Sequence, residues 1–253
     1  MSPLATSAIV FACIFGVALF AMFFKRYLPE NHLSAESKDV VKLGMGTIAT
    51  LAAIVLGLLI ATAKGTYDAQ SGAIQEYAAK VMLLDRVLAK YGPETKEARD
   101  LLRGAVEATV NRFWPDDGVQ AGNLAPGEAR AAGEAMYDKI ADLTPQNDGQ
   151  RALKARALEA TTDLAQERLR LFARHDGSLP LPFLVVLASW LVILFAGYGL
   201  LAPRNATVAA VLFVCTLSVS AAIFLLLELS TPFAGIMRVS SGPLHDALSV
   251  IGK

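Results

Sequence analysis

The segment VLGLLIATAKGTYDAQSGAIQEY, Val55 to Tyr77, begins as unbroken hydrocarbon and turns charged, polar and helix-compatible before it ends. Such a stretch reads as a helix that leaves a membrane and runs on into water. The composition around it agrees. The chain has 253 residues, of which 54% are hydrophobic and 18% charged, with a mean hydropathy of +0.45. That is too apolar for an ordinary soluble domain and implies a membrane protein. Basic and acidic residues balance at 23 each, and no basic stripe with interleaved aromatics occurs, which argues against a nucleic-acid partner.

Crossing a bilayer takes about 20 apolar residues. Four runs qualify, near Ser7–Phe24, Leu43–Ala63, Leu181–Leu201 and Thr207–Leu229, and they form two hairpins. Lys25 and Arg26 close the first run, Lys64 closes the second, and APRN, Ala202 to Asn205, makes a tight turn between the third and fourth. No basic residue precedes the first run and no small-residue cleavage site precedes Lys25, so this run is expected to be a retained span rather than a signal peptide.

The expected organisation is all-α: a transmembrane hairpin over 1–63, a helical extramembrane insert over 64–179, a second hairpin over 180–229 and a tail over 230–253. Breaks at YGPE (Tyr91–Glu94), WPDDG (Trp114–Gly118) and TPQNDG (Thr144–Gly149) divide the insert into about four helices. In the first, Ile74, Tyr77, Val81, Leu84, Leu88 and Tyr91 recur at alternating spacings of 3 and 4, a coiled-coil seam that needs a neighbour. The last, from about Gln150 to Arg174, repeats the pattern more weakly with Leu153, Ala157, Ala160, Leu164 and Leu171, and is its natural partner.

Chemistry is hard to find. Cys13 and Cys215 lie in apolar runs, where Cys is expected to pack as a small hydrophobe. His32, His175 and His245 are scattered outside any metal or nucleophile motif. Asp116 and Asp117 lack the spaced carboxylates of a calcium loop and read as part of a turn. No enzyme, metal or cofactor is therefore expected. Glu228, an acid at the end of the fourth run, is either a functional residue or an interfacial side chain reaching for water. The second run is dense in small residues, among them Gly44, Gly46, Ala52, Ala53, Gly57 and Ala61. These suit tight packing within or between subunits, or equally a helix lining a narrow axis.

With those features noted, the opening segment resembles the bestrophin pattern, in which the second span carries an apolar run with a Gly, then an aromatic-polar stretch, then a Glu. Here Tyr67, Asp68 and Glu76 fill the later places. ELSTPFAG, Glu228 to Gly235, resembles the bestrophin segment after the fourth span, with Pro232, Phe233 and Gly235 in its core. The whole chain, including PFAGIMRVSSGPL from Pro232 to Leu244, is similar to the bacterial bestrophin-like family.

The resemblance implies a homo-oligomer, a pentamer, in the bacterial inner membrane, with the second span around an axial pore and the insert as a cytosolic vestibule. Matching VLGL to the bestrophin neck places Thr50, Ile54 and Leu58 on one helix face. These residues either form an apolar neck that gates by dewetting or pack against neighbouring helices. Gly46, Ala53 and Gly57 would serve the pore wall or the interface. The acidic calcium cluster of animal bestrophins has no counterpart after PFAG, where Ile236, Met237, Arg238 and Val239 stand.

Topology has signals of both signs. Lys25, Arg26, Lys38 and Lys42 favour a cytoplasmic loop between the first two spans. Glu30, Glu36 and Asp39 share that loop, while Lys64, Lys80, Arg168, Arg170 and Arg174 flank the insert. The expectation is a cytoplasmic insert with both termini on the same side. Two functions follow: an ion channel passing anions, chloride foremost, or a non-conducting scaffold or sensor whose coiled coil recruits a partner.

Overall fold

The computed structural model describes residues 2–24, 35–115, 126–173 and 181–252, and all regular structure among them is helical. The α-helices are α1 (Pro3–Phe24), α2 (Ala35–Tyr91), α3 (Lys96–Phe113), α4 (Pro126–Ala141), α5 (Asp148–Ala173), α6 (Leu181–Leu201), α7 (Ala206–Leu229) and α8 (Gly242–Val250). α1, α2, α6 and α7 are long and apolar enough to cross a membrane. Lys25, Arg26, Glu30, His32, Asp116, Asp117, Arg174 and His175, all weighed above, lie outside the described residues.

The second apolar run does not end where its hydrocarbon ends: α2 continues for 57 residues. Between Lys64 and Tyr91 there is no proline, and isolated glycines such as Gly65 and Gly72 cost only about 1 kcal/mol each. The helix stops at Gly92, whose φ of 142° suits glycine, followed by Pro93 opening a single 3₁₀ turn. The Thr95 hydroxyl closes the end, within reach of the carbonyls of Leu88 (2.7 Å) and Gly92 (2.8 Å).

The chain forms two compact units. The first comprises residues 1–67 and 177–238. Its core takes Ile14 and Ala18 from α1, Met45, Ala52 and Leu59 from α2, and Leu187 and Leu191 from α6, with Leu226 from α7. The α2 residues recur every seven, so one stripe of that helix is committed to its own chain. α1 packs on both α6 and α7.

Close approach in this unit depends on two glycines of α6. A Cβ at Gly199 would strike the backbone carbonyl of Ala18, and one at Gly197 would meet the Met45 sulfur at 2.6 Å. The glycines singled out in the second run behave differently. An added Cβ at Gly44, Gly46 or Gly57 meets nothing within 4 Å. Asn205 caps α7 by accepting from the Val208 N–H at 2.8 Å. Beside it, the Arg204 guanidinium donates to the carbonyls of Met22 (3.0 Å) and Phe23, satisfying the open end of α1. Cys13 and Cys215 are exposed rather than packed in the core, a correction to the sequence expectation. Outward faces of apolar helices accept a thiol without a partner.

The second unit comprises residues 68–176 and 239–253. The whole predicted seam is buried there, from Ile74 at 0% exposure to Tyr91 at 5%. α5 runs alongside α2, with Lys80 Nζ 3.4 Å from Glu167 Oε1 and Gln150 Nε2 donating to the Tyr91 carbonyl at 3.1 Å. Arg99 of α3 forms a two-pronged pair with Asp85 of α2, at 2.7 and 3.0 Å.

The sequence reading left the tail without a helix, and α8 corrects it. Pro243 in its first turn and buried Leu244, Ala247, Leu248 and Ile251 on one face are the signals that mark it. α8 packs on α3. Arg103 closes its C-terminal end by donating to the carbonyls of Leu248 and Ile251 at 3.1 and 3.2 Å, and Trp114 Nε1 donates to the Val239 carbonyl at 2.8 Å.

Candidate functional site

Because one stripe of α2 is spent on the core of the membrane-spanning unit, its opposite face is left bare. Thr50, Ile54 and Leu58 stack there, with Ile54 62% and Leu58 65% exposed. Gly46, Ala53 and Gly57 are exposed too. The face is drier than its threonines suggest. The hydroxyls of Thr47, Thr50 and Thr62 donate to the carbonyls of Leu43, Gly46 and Leu58 one turn back, at 2.9–3.2 Å. Methyl groups are what these side chains present outward.

The residues after the apolar run do not all join this face. Tyr67 is half-buried against the core, and the Lys64 ammonium lies 5.5 Å from its ring centroid. In the second unit, Asp68 and Glu76 are exposed, and Glu76 pairs with Lys80 at 3.3 Å. Desolvation pulls the Lys80 pKa down, but Glu76 and Glu167 outweigh it and leave the pKa above the ordinary lysine value. Burial raises the pKa of the neighbouring Tyr77, whose hydroxyl meets Thr109.

The segment after α7 is a compact device built around Glu228. Thr231 N–H donates to the Glu228 carbonyl and Ala234 N–H to the Thr231 carbonyl, both at 3.1 Å, so the chain doubles back. Gly235 takes φ 85°, a left-handed conformation that aims the next two N–H groups at one point. Glu228 Oε2 occupies that point, accepting from Ile236 N at 2.8 Å and Met237 N at 3.1 Å. At 2% exposure the carboxylate is buried, not turned out toward water as interfacial snorkelling would have it. Its burial is offset by two charge-assisted hydrogen bonds. A Cβ on Gly235 would lie 2.5 Å from Oε2, so the acid and the glycine depend on each other. Phe233 is buried and Pro232 half-buried beside them.

Sequence reasoning named the members of this turn without seeing that they bond one another. It missed Gly197 and Gly199, and Trp114 and Arg103 as anchors of the tail. Among the described residues no three His, Cys, Asp or Glu side chains gather where a metal could be held.

Four membrane-length helices, a helical insert and a turned-back acid after the last span define a class of helical membrane protein with the bestrophin architecture. The chain belongs to the bestrophin-like family, whose domain model matches residues 12–244. Its fold is similar to that of a bacterial bestrophin homolog from Klebsiella pneumoniae. The structure of that homolog with a tryptophan-to-alanine mutation superposes with a TM-score of 0.71 at 14% identity, covering 100% of this chain and 96% of the other. One with a leucine-to-threonine mutation gives 0.68 at 12% identity, over 97% and 96%. An isoleucine-to-threonine mutant gives 0.67 at 13%, over 97% of both chains. Curated proteins give no match.

Proposed function

We propose that this protein is an oligomeric ion channel that conducts anions, chloride foremost, with α2 lining the pore. The observation that carries the reading is the bare apolar face of α2, with Ile54 and Leu58 turned away from the core row of Met45, Ala52 and Leu59. In an assembly around an axis that face closes into a neck of Thr50, Ile54 and Leu58, narrow and dry enough to gate by dewetting. Gly46, Ala53 and Gly57 support it. A Cβ at either glycine meets nothing in its own chain, which leaves room there for a close approach from outside that chain. The family suggests a pentamer in the bacterial inner membrane, with the insert and both termini cytoplasmic and the insert forming a vestibule. The reading assigns no catalytic residue and no cofactor.

The scaffold reading rested on a coiled-coil seam free to recruit a partner. That seam is consumed inside the second unit, with Ile74, Val81 and Leu84 at 0% exposure, which favours the channel. The test is flux from liposomes holding the purified protein, with chloride and potassium gradients run separately and Ile54→Ala beside wild type. Chloride flux that rises in the variant is the expected result. A correctly inserted oligomer that passes neither ion, with or without Ile54, refutes the channel and restores the scaffold.

A further inference from the structure

Where α2 enters the membrane-spanning unit, two recesses meet. The first, of about 380 Å³, lies along α6 and α7 and is lined by Tyr198, Val208, Val211, Leu212 and Cys215. It is almost wholly apolar, and Tyr198 and Val211 on its rim are exposed. The second, of about 320 Å³, is more polar and lies between α2 and α6, lined by Lys42, Met45, Gly46, Tyr198 and Leu201. Tyr198 and Ala202 belong to both, so the two form one continuous surface.

We propose that this surface is a binding site for one anionic phospholipid, with an acyl chain in the α6–α7 recess and the phosphate at Lys42. Three features support that occupant. Lys42 immediately precedes the apolar run that begins at Leu43, which is the depth of a lipid headgroup. Its present partner is Asp39 at 3.0 Å, and with the two side chains 63% and 75% exposed that pair is weak and readily exchanged for a phosphate. Tyr198, 42% exposed, offers an apolar ring to the chain and a hydroxyl to the head, the division of labour that places tyrosine at membrane interfaces. A water-soluble anion would fill only the polar half. A zwitterionic lipid would place a quaternary ammonium close to Lys42. The site does not depend on whether the protein conducts.

The experiment is thermal unfolding of the purified full chain in detergent with added phosphatidylglycerol, phosphatidylcholine of the same acyl chains, or inorganic phosphate. Native mass spectrometry counts the lipid bound per subunit. Phosphatidylglycerol is expected to raise the Tm more than phosphatidylcholine. Lys42→Gln is expected to weaken phosphatidylglycerol about fivefold, the effect of one lysine near an anionic surface, and to leave phosphatidylcholine unchanged. Val211→Trp, which fills the apolar recess, should release both lipids. Equal protection by the two lipids with no effect of Lys42→Gln overturns the proposal, and so does an equal shift from inorganic phosphate. Val211→Trp that breaks the oligomer while lipid counts stay unchanged also overturns it, by showing that another copy covers the groove. Lys42 is a surface residue, so its variant decides the matter even if Val211→Trp fails to fold.

Discussion

Gly199 and Gly16 look alike in the sequence, each a lone small residue inside an apolar helix, yet substituting alanine should move stability in opposite directions. At Gly199 the new methyl would collide with the main-chain carbonyl of Ala18, an atom held in the middle of α1 that no rotamer change can move. Overpacking of this kind costs about 1–3 kcal/mol. A backbone obstacle keeps Gly199→Ala away from the lower end, at about 2 kcal/mol. The gain from replacing a helical glycine, about 0.5–1 kcal/mol, offsets part of that and leaves a net loss of about 1–1.5 kcal/mol. At Gly16 the added methyl meets nothing within 4 Å, so Gly16→Ala keeps only the gain of about 0.5–1 kcal/mol. At about 2–4 °C per kcal/mol for a chain of this size, Gly199→Ala should lose about 2–6 °C and Gly16→Ala should gain about 1–4 °C. Thermal unfolding of both variants in one detergent, followed by circular dichroism, measures the difference. Equal melting temperatures, or a more stable Gly199→Ala, would refute the claim that α6 touches α1 through that glycine.

In the second unit, Asp85→Ala removes both hydrogen bonds to the part-buried Arg99 and should cost about 1.5–3 kcal/mol. Asp85→Leu with Arg99→Met should recover most of the loss, and denaturant unfolding of single and double variants separates the two. Leu84→Ala removes a fully buried seam residue and should cost about 2–5 kcal/mol by the same assay. Lys80 supplies a pH dependence. Its folded pKa is raised, so its contribution is fully present below the unfolded value of about 10.4 and fades as pH climbs through the folded one. The Tm gap between wild type and Lys80→Met should therefore hold at pH 7–9 and narrow above about pH 10.5; a gap constant to pH 11.5 contradicts the ion pairs with Glu76 and Glu167.

The spans were legible because a bilayer imposes a minimum length of hydrocarbon, and Leu43–Ala63 or Thr207–Leu229 satisfy it openly. The seam from Ile74 to Tyr91 was legible because helical periodicity writes burial into spacing, and the structure buries each of those residues. Other features left weaker marks. Gly199 matters because of one carbonyl on another helix, and nothing in its own neighbourhood distinguishes it from Gly16. Glu228 is held by the main-chain N–H groups of Ile236 and Met237, which any residues could supply, so only Gly235 hinted at the bond. Short α8 carried real signals in Pro243 and its Leu244, Ala247, Leu248 and Ile251 stripe, masked by its nine-residue length. The members of the bare α2 face were readable as a stripe. Their exposure was not, because a row of apolar residues looks the same whether it meets its own chain, a neighbour or an axis.

The back-bonded threonines of α2 carry a consequence for any ion that travels along them. A hydroxyl whose proton is already engaged one turn back has none to offer a passing halide, and at this face threonine is chemically closer to valine. An anion there must give up hydration without replacement by protein donors. Permeation along such a surface would be ordered by the ease of shedding water, with large, diffusely charged anions ahead of small, tightly hydrated ones.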